Sequence, residues 1–77
     1  MKNLRNIPLS DFRKILIALG CECYRTKGGH EAWIKPGISR PVICQTHIDP
    51  VSELVVKNAI RTLGITRQEF LEIYEMI

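Results

Sequence analysis

The feature that most constrains this fold is Gly28-Gly29, set between two strand-like runs. A two-residue Gly-Gly loop between such runs is a tight-hairpin signal, because glycine tolerates the positive φ these turns need. Taking the two glycines as the loop sets a register outward from the turn. Lys27 faces His30, Arg25 faces Ala32 and Cys23 faces Ile34 on one side of the ribbon. Thr26 faces Glu31, Tyr24 faces Trp33 and Glu22 faces Lys35 on the other, because side chains alternate with period two. The second side then holds an aromatic pair and an opposite-charge pair, both favourable across strands. The first is apolar at its base and changes to Arg25, Lys27 and His30 at its tip, where the sheet is expected to outrun its hydrophobic cover. Two fixed cations beside a titratable imidazole suit a phosphodiester substrate.

Helical periodicity brackets the hairpin. Phe12, Ile15, Leu16 and Leu19 recur at i, i+3, i+4 and i+7, which predicts a first helix from about residue 9 or 10 to 19 after a short lead-in over 1–7. Pro8 or Ser10 begins it, and Gly20 suits its left-handed end. Strands are expected at about 21–27 and 30–35, then at Val42-Ile43-Cys44-Gln45 after the Pro36-Gly37 turn, with Pro41 marking an edge or entry position. The turn length leaves open which face of this third strand is buried. A second helix is predicted over about 50–63, capped by Asp49 with Pro50 at its first position. Its stripe is Val51, Leu54, Val55, Ala59 and Leu63, and Gly64 stops it. Thr66-Arg67-Gln68-Glu69 is a capping box opening a last helix over about 66–76, with Ile65 stapling onto Phe70. Helix, three antiparallel strands, helix and helix is an α+β layout, a three-stranded sheet with helices on one face.

Seventy-seven residues make one domain with a marginal core. The formal charge is +3, but it is unevenly spread: residues 1–48 hold eight Lys or Arg against three Asp or Glu, and residues 49–77 hold three against five. The basic part contains the hairpin, which favours a polyanionic partner. Three cysteines and no signal-type segment argue against a secreted disulfide framework. No apolar run approaches membrane-spanning length, so the expected location is cytoplasmic, with no membrane partner.

An ordinary imidazole titrates near pH ~6.5 and both takes and gives protons near neutrality. RNA carries its own nucleophile, the 2′-OH, so His30 suits removal of that proton while neighbouring cations stabilise the phosphorane. Against this, a histidine at that place also serves simply to begin a strand. Arg25 and Lys27 share its face, and Gly28 and Gly29 let RNA approach the backbone closely. His47, between the third strand and second helix, reads as a general acid, a phosphate contact or a turn residue. Cys21, Cys23, Cys44 and His47 are a possible zinc set, but the register places Cys21 and Cys23 in the apolar base, where free Cys packs as a small hydrophobe. Tyr24 and Trp33 are open to three readings: a base-stacking platform, a docking surface, or the seat of the last helix.

The helix-β-β-β-helix order with Lys27-Gly28-Gly29-His30 after the first strand resembles the HicA family of toxin–antitoxin ribonucleases. The usual family motif is Gly-Ser-His, with the His proposed as catalytic, so Gly29 replaces the Ser here. Leu19-Gly20, Arg25, His47 and Ala59-Ile60-Arg61-Thr62-Leu63-Gly64-Ile65 extend the similarity over about residues 9–70. Asp49 and Glu53 stand where many relatives are richer in Lys. The resemblance implies a double-stranded-RNA-binding-domain-like fold, with a core over about 9–64. It implies an mRNA-cleaving toxin with His30 catalytic, needing no metal or organic cofactor, masked by a HicB-type antitoxin. RNA binding would fall to Arg25, Lys27, Gly28, Gly29, Lys35, Arg40 and His47, and the free toxin would be a monomer. A non-catalytic RNA-binding module of the same fold and a zinc-stabilised protein-interaction domain are the rival readings.

Overall fold

The computed structural model describes residues 2–77; Met1 of the expected lead-in lies outside them. Among these residues the elements run α1 (Leu9–Ala18), β1 (Glu22–Lys27), β2 (His30–Ile34), β3 (Val42–Gln45), α2 (Glu53–Leu63) and α3 (Arg67–Met76). The three strands form one antiparallel sheet in the order β1-β2-β3. Gly28 and Gly29 both take positive φ, +58° and +80°, as the two central positions of the favoured hairpin turn require. The chain is therefore a small α+β protein, a three-stranded antiparallel sheet with three helices. No helix among the described residues is long and apolar enough to cross a membrane.

Trp33, Val42 and Cys44 join Phe12, Ile15 and Leu16 of α1, Val56, Ala59 and Leu63 of α2, and Phe70 and Tyr74 of α3 in one buried cluster. Val42 and Cys44 therefore face the helices, and Ile43 is on the uncovered side. Phe12 and Phe70, both fully buried, meet with ring centroids 6.5 Å apart, which ties α1 to α3. Each such burial is worth roughly 1.5–3 kcal/mol. The expected capping box is present: Thr66 Oγ1 accepts from the Glu69 amide at 3.0 Å, and Glu69 Oε1 accepts from the Thr66 amide at 2.9 Å.

Several expectations are corrected. The hairpin register holds for Lys27–His30, Thr26–Glu31 and Arg25–Ala32, then breaks. A β-bulge at Tyr24 makes Cys23 the partner of Trp33 and Glu22 the partner of Ile34. The Tyr24–Trp33, Cys23–Ile34 and Glu22–Lys35 pairs do not form. β1 is an edge strand whose residues are all exposed, so nothing covers a Tyr beside Trp33 on the helix side. The extra residue turns Tyr24 outward and sends Cys23 to the helix side, where its Sγ lies 3.7 Å from Thr26 Oγ1. Trp33 enters the core alone, and the seat of the last helix is not a Tyr24–Trp33 pair.

Asp49 does not cap the second helix. Its Oδ1 accepts from the Leu9 amide at 2.9 Å and so caps α1, whose own flanking Pro8 has no side-chain acceptor. The Val51 amide donates to the Ile7 carbonyl at 2.8 Å, which holds that stretch extended. The second helix therefore starts at Glu53, with Ser52 Oγ accepting from the Leu54 amide. Its buried stripe becomes Val56, Ala59 and Leu63, while Leu54 is two-thirds exposed. The lead-in contributes to the interior, since Leu4 and Ile7 are buried.

Candidate active site

The face away from the helices carries two rows of side chains across all three strands. Lys27, His30 and Gln45 make the row at the hairpin tip; Arg25, Ala32 and Ile43 make the next. The hairpin tip is tied to the end of β3. The Gly29 carbonyl accepts from the Thr46 amide at 2.8 Å and from Thr46 Oγ1 at 3.0 Å. That clamp delivers the next residue, His47, to the tip. The two imidazoles lie with ring centroids 6.4 Å apart and planes inclined at 78°. Both rings are exposed.

His30 is held in a defined orientation. Its Nδ1 lies 3.2 Å from the Gly28 carbonyl oxygen. A carbonyl only accepts, so Nδ1 carries a hydrogen, and in the neutral ring the lone pair is then on Nε2. That tautomer presents a base to solvent. Gly29 matters to the second ring: a Cβ built there would stand 3.3 Å from His47 Nδ1. His47 thus closes against a residue that has no side chain.

His30 lines two hollows. One of about 320 Å³ lies on the open face among Tyr24, Arg25, Lys27, Ala32, Pro41 and Ile43. The other, about 690 Å³, runs along β3 beside α2 and includes Arg40, Ile48, Leu54 and Arg61. Among the described residues no ion pair engages Arg25, Lys27, Arg40 or Arg61, so the surround is positive. The structure thus brings Arg25, Lys27, Gly28, Gly29, His30 and His47 together, with Arg40 further along the larger hollow. Lys35 is not brought in. It follows the far end of β2, where its charge bears on Cys21.

Beneath the open face lies a polar arrangement with no clear sequence signature. Glu31, buried, accepts from Arg13 through both oxygens, Nε at 3.2 Å and Nη2 at 2.8 Å, and from Trp33 Nε1 at 3.1 Å. The hydrogen bonds that Arg13 donates to Glu31 raise the Arg13 pKa above its ordinary value. This network fixes β2 from below, and so fixes the strand that starts at His30. Sequence reasoning also misses Thr46; a Thr directly before His47 is its only signal.

Cys21 and Cys44 are buried and Cys23 is exposed. Burial pushes the Cys44 thiol up to about 11, with the Glu31 charge adding to it. A cysteine binds metal as the thiolate, and the surroundings of Cys44 oppose forming one. Among the described residues no three or more His, Cys, Asp or Glu are grouped as a metal would require. The carboxylates nearest the site are committed elsewhere, Glu31 to Arg13 and Asp49 to the Leu9 amide. No family model matches the chain, and no curated protein or solved structure matches it.

Proposed function

We propose that this protein is an endoribonuclease toxin of the HicA type, that its layout is the double-stranded-RNA-binding-domain-like one, and that it cleaves mRNA without a metal. The observation that carries this reading is the pair of imidazoles, 6.4 Å apart, at a positively charged hairpin tip. His30 Nε2 takes the proton of the 2′-OH. The 2′-oxygen attacks the adjacent phosphorus, the P–O5′ bond breaks, and His47 in its protonated form gives its proton to the leaving 5′-oxygen. Arg25 and Lys27 balance the charge on the phosphorane. The products are a 2′,3′-cyclic phosphate and a free 5′-hydroxyl. The chain's own residues supply both proton transfers, so no step calls on a metal. A HicB-type antitoxin silences the protein by covering the same tip with acidic side chains.

The test is cleavage of a defined transcript in excess chelator, with product ends analysed, for wild type, His30→Ala and His47→Ala. Wild type should release cyclic phosphate. General acid–base catalysis is worth ~10²–10⁴-fold, so each variant should fall within that range while keeping its fold. Full activity in a folded His30→Ala protein rejects the assignment. Activity lost in chelator and restored by magnesium rejects the metal-free route. RNA binding without any cleavage favours the non-catalytic module instead.

A further inference from the structure

We infer that the open-face hollow walled by Tyr24 is a subsite for one unpaired nucleobase, so that the RNA this protein acts on is single-stranded at the cut. The inference rests on the ribonuclease reading and adds the class of RNA to it. The bulge is its origin. Without the extra residue Tyr24 would alternate onto the helix side; with it, Tyr24 stands on the open face next to Arg25 and is 53 % exposed. Opposite lies an apolar floor of Ala32, Pro41 and Ile43, with Ile43 itself 48 % exposed. The rim carries Arg25, Lys27 and His30; Glu31 also lines the hollow, but its carboxylate is neutralised by Arg13.

Spacing makes the two rows one site. Rows on one face are two residues apart, about 7 Å along the strands. A phosphate held at the Lys27–His30 row therefore places its own nucleoside over the Arg25–Ala32–Ile43 row. The volume, about 320 Å³, lies at the small end of ligand sites, which span ~300–1,000 Å³. It accommodates a single base and not a helix. A base in a duplex has both faces taken by its neighbours and cannot lie on such a floor. Single-stranded RNA offers splayed bases that stack on aromatic side chains. Charge decides the occupant: an apolar floor ringed by unpaired cations is complementary to a base flanked by phosphates. The floor and wall are Ala, Pro, Ile and Tyr, which accept any base through its π-face and read little of its edge.

The experiment measures binding of a 2′-O-methylated single strand containing one 2-aminopurine, and of its duplex with a complementary strand. Methylation blocks the nucleophile, so binding is read apart from cleavage. Wild type should bind the single strand at least ~10-fold more tightly than the duplex, with the 2-aminopurine emission quenched. Stacking losses on alanine substitution correspond to ~5–150-fold in affinity, so Tyr24→Ala should weaken single-strand binding within that range. Tyr24→Phe should keep both affinity and quenching, and thermal midpoints should match because Tyr24 is outside the core. Equal affinity for strand and duplex, or an unchanged Tyr24→Ala affinity, overturns the subsite. Failure to bind either oligonucleotide overturns it as well and returns the hollow to a protein partner. If the single strand binds through Tyr24 but unmodified RNA stays intact, the subsite stands and the ribonuclease reading falls. If RNA is cut with no dependence on Tyr24 or strandedness, the reverse holds.

Discussion

Gly28 and Gly29 offer an internally controlled perturbation. Both hold positive φ, at +58° and +80°, so alanine at either carries the left-handed backbone cost of ~1–2 kcal/mol. They differ in surroundings. A Cβ at Gly28 meets nothing within 4 Å, while one at Gly29 stands 3.3 Å from His47 Nδ1 and 3.8 Å from Thr46 Oγ1. His47 is exposed and its ring can turn aside at an off-rotamer cost of ~0.5–1.5 kcal/mol or less. Both variants should therefore melt lower by a similar amount. At ~4–8 °C per kcal/mol for a domain of this size, the shared shift is about 4–16 °C, with Gly29→Ala the lower of the two. Function should separate them further. Gly28→Ala leaves His47 in place and should keep cleavage near wild type. Gly29→Ala swings the proposed acid away and should cost at least ~10-fold, towards the full ~10²–10⁴-fold value of such a group. The assays are thermal melts, imidazole NMR shifts of His47, and the rate of cyclic-phosphate release. In a His47→Ala background the two glycine variants should become equivalent in stability. If they already match in cleavage rate and in His47 shifts with His47 present, the close contact has no bearing on the site and the reasoning fails.

Arg25→Ala with Lys27→Ala should weaken RNA binding and flatten its dependence on salt by up to about two phosphate contacts, ~0.7 in slope each for a single strand, with little change in thermal midpoint; a collapse in stability with affinity intact would assign both residues to the fold. A HicB-type antitoxin and a non-cleavable RNA should compete for the His30→Ala protein, and independent simultaneous binding would exclude direct masking. Alkaline stability should report Cys44. Burial raises its thiol from 9.0 to about 11 in the folded state. The unfolded thiol therefore ionises first, and stability falls by ~1.36 kcal/mol for each pH step of one between those two values. Denaturant titrations from pH 8 to 11 should fall less steeply for Cys44→Ala; Cys21 and Tyr74, also raised by burial, keep a residual slope. An unchanged slope would mean that the thiol stays buried and neutral in the unfolded chain as well, or that burial is not the cause.

Legibility from the sequence falls with distance from the turn. The glycine pair names its own geometry, so the three rungs nearest it follow from period-two alternation. The bulge at Tyr24 does not, because it is decided by what stands above the sheet: β1 is an uncovered edge there, and Trp33 already fills its side of the core. Local capping chemistry is readable at Thr66–Glu69, where donor and acceptor lie three residues apart. It misleads at Asp49, whose acceptor serves an amide 40 residues earlier in the chain. Leu4 and Ile7 have no period to announce them. Within the candidate site, His30 and its cations are legible from one hairpin. The approach of His47 is not, since it depends on Thr46 reaching the Gly29 carbonyl. Lys35 is misplaced because alternation gives a side but not a place along the strand, and β2 carries it to the far end.

The bulge also governs how this protein can vary over generations. The inserted residue absorbs the alternation rule, so position 24 is bound neither by the interior nor by a cross-strand partner. A change there leaves Cys21, Trp33 and the helices where they are. Lineages are therefore free to remodel the wall of the open-face hollow one residue at a time, while selection for folding holds the rest of the sheet constant. A saturation library sorted for folding alone should pass most side chains at Tyr24 and few at Trp33. Equal intolerance at the two positions would show that the bulge is a structural requirement for tyrosine itself.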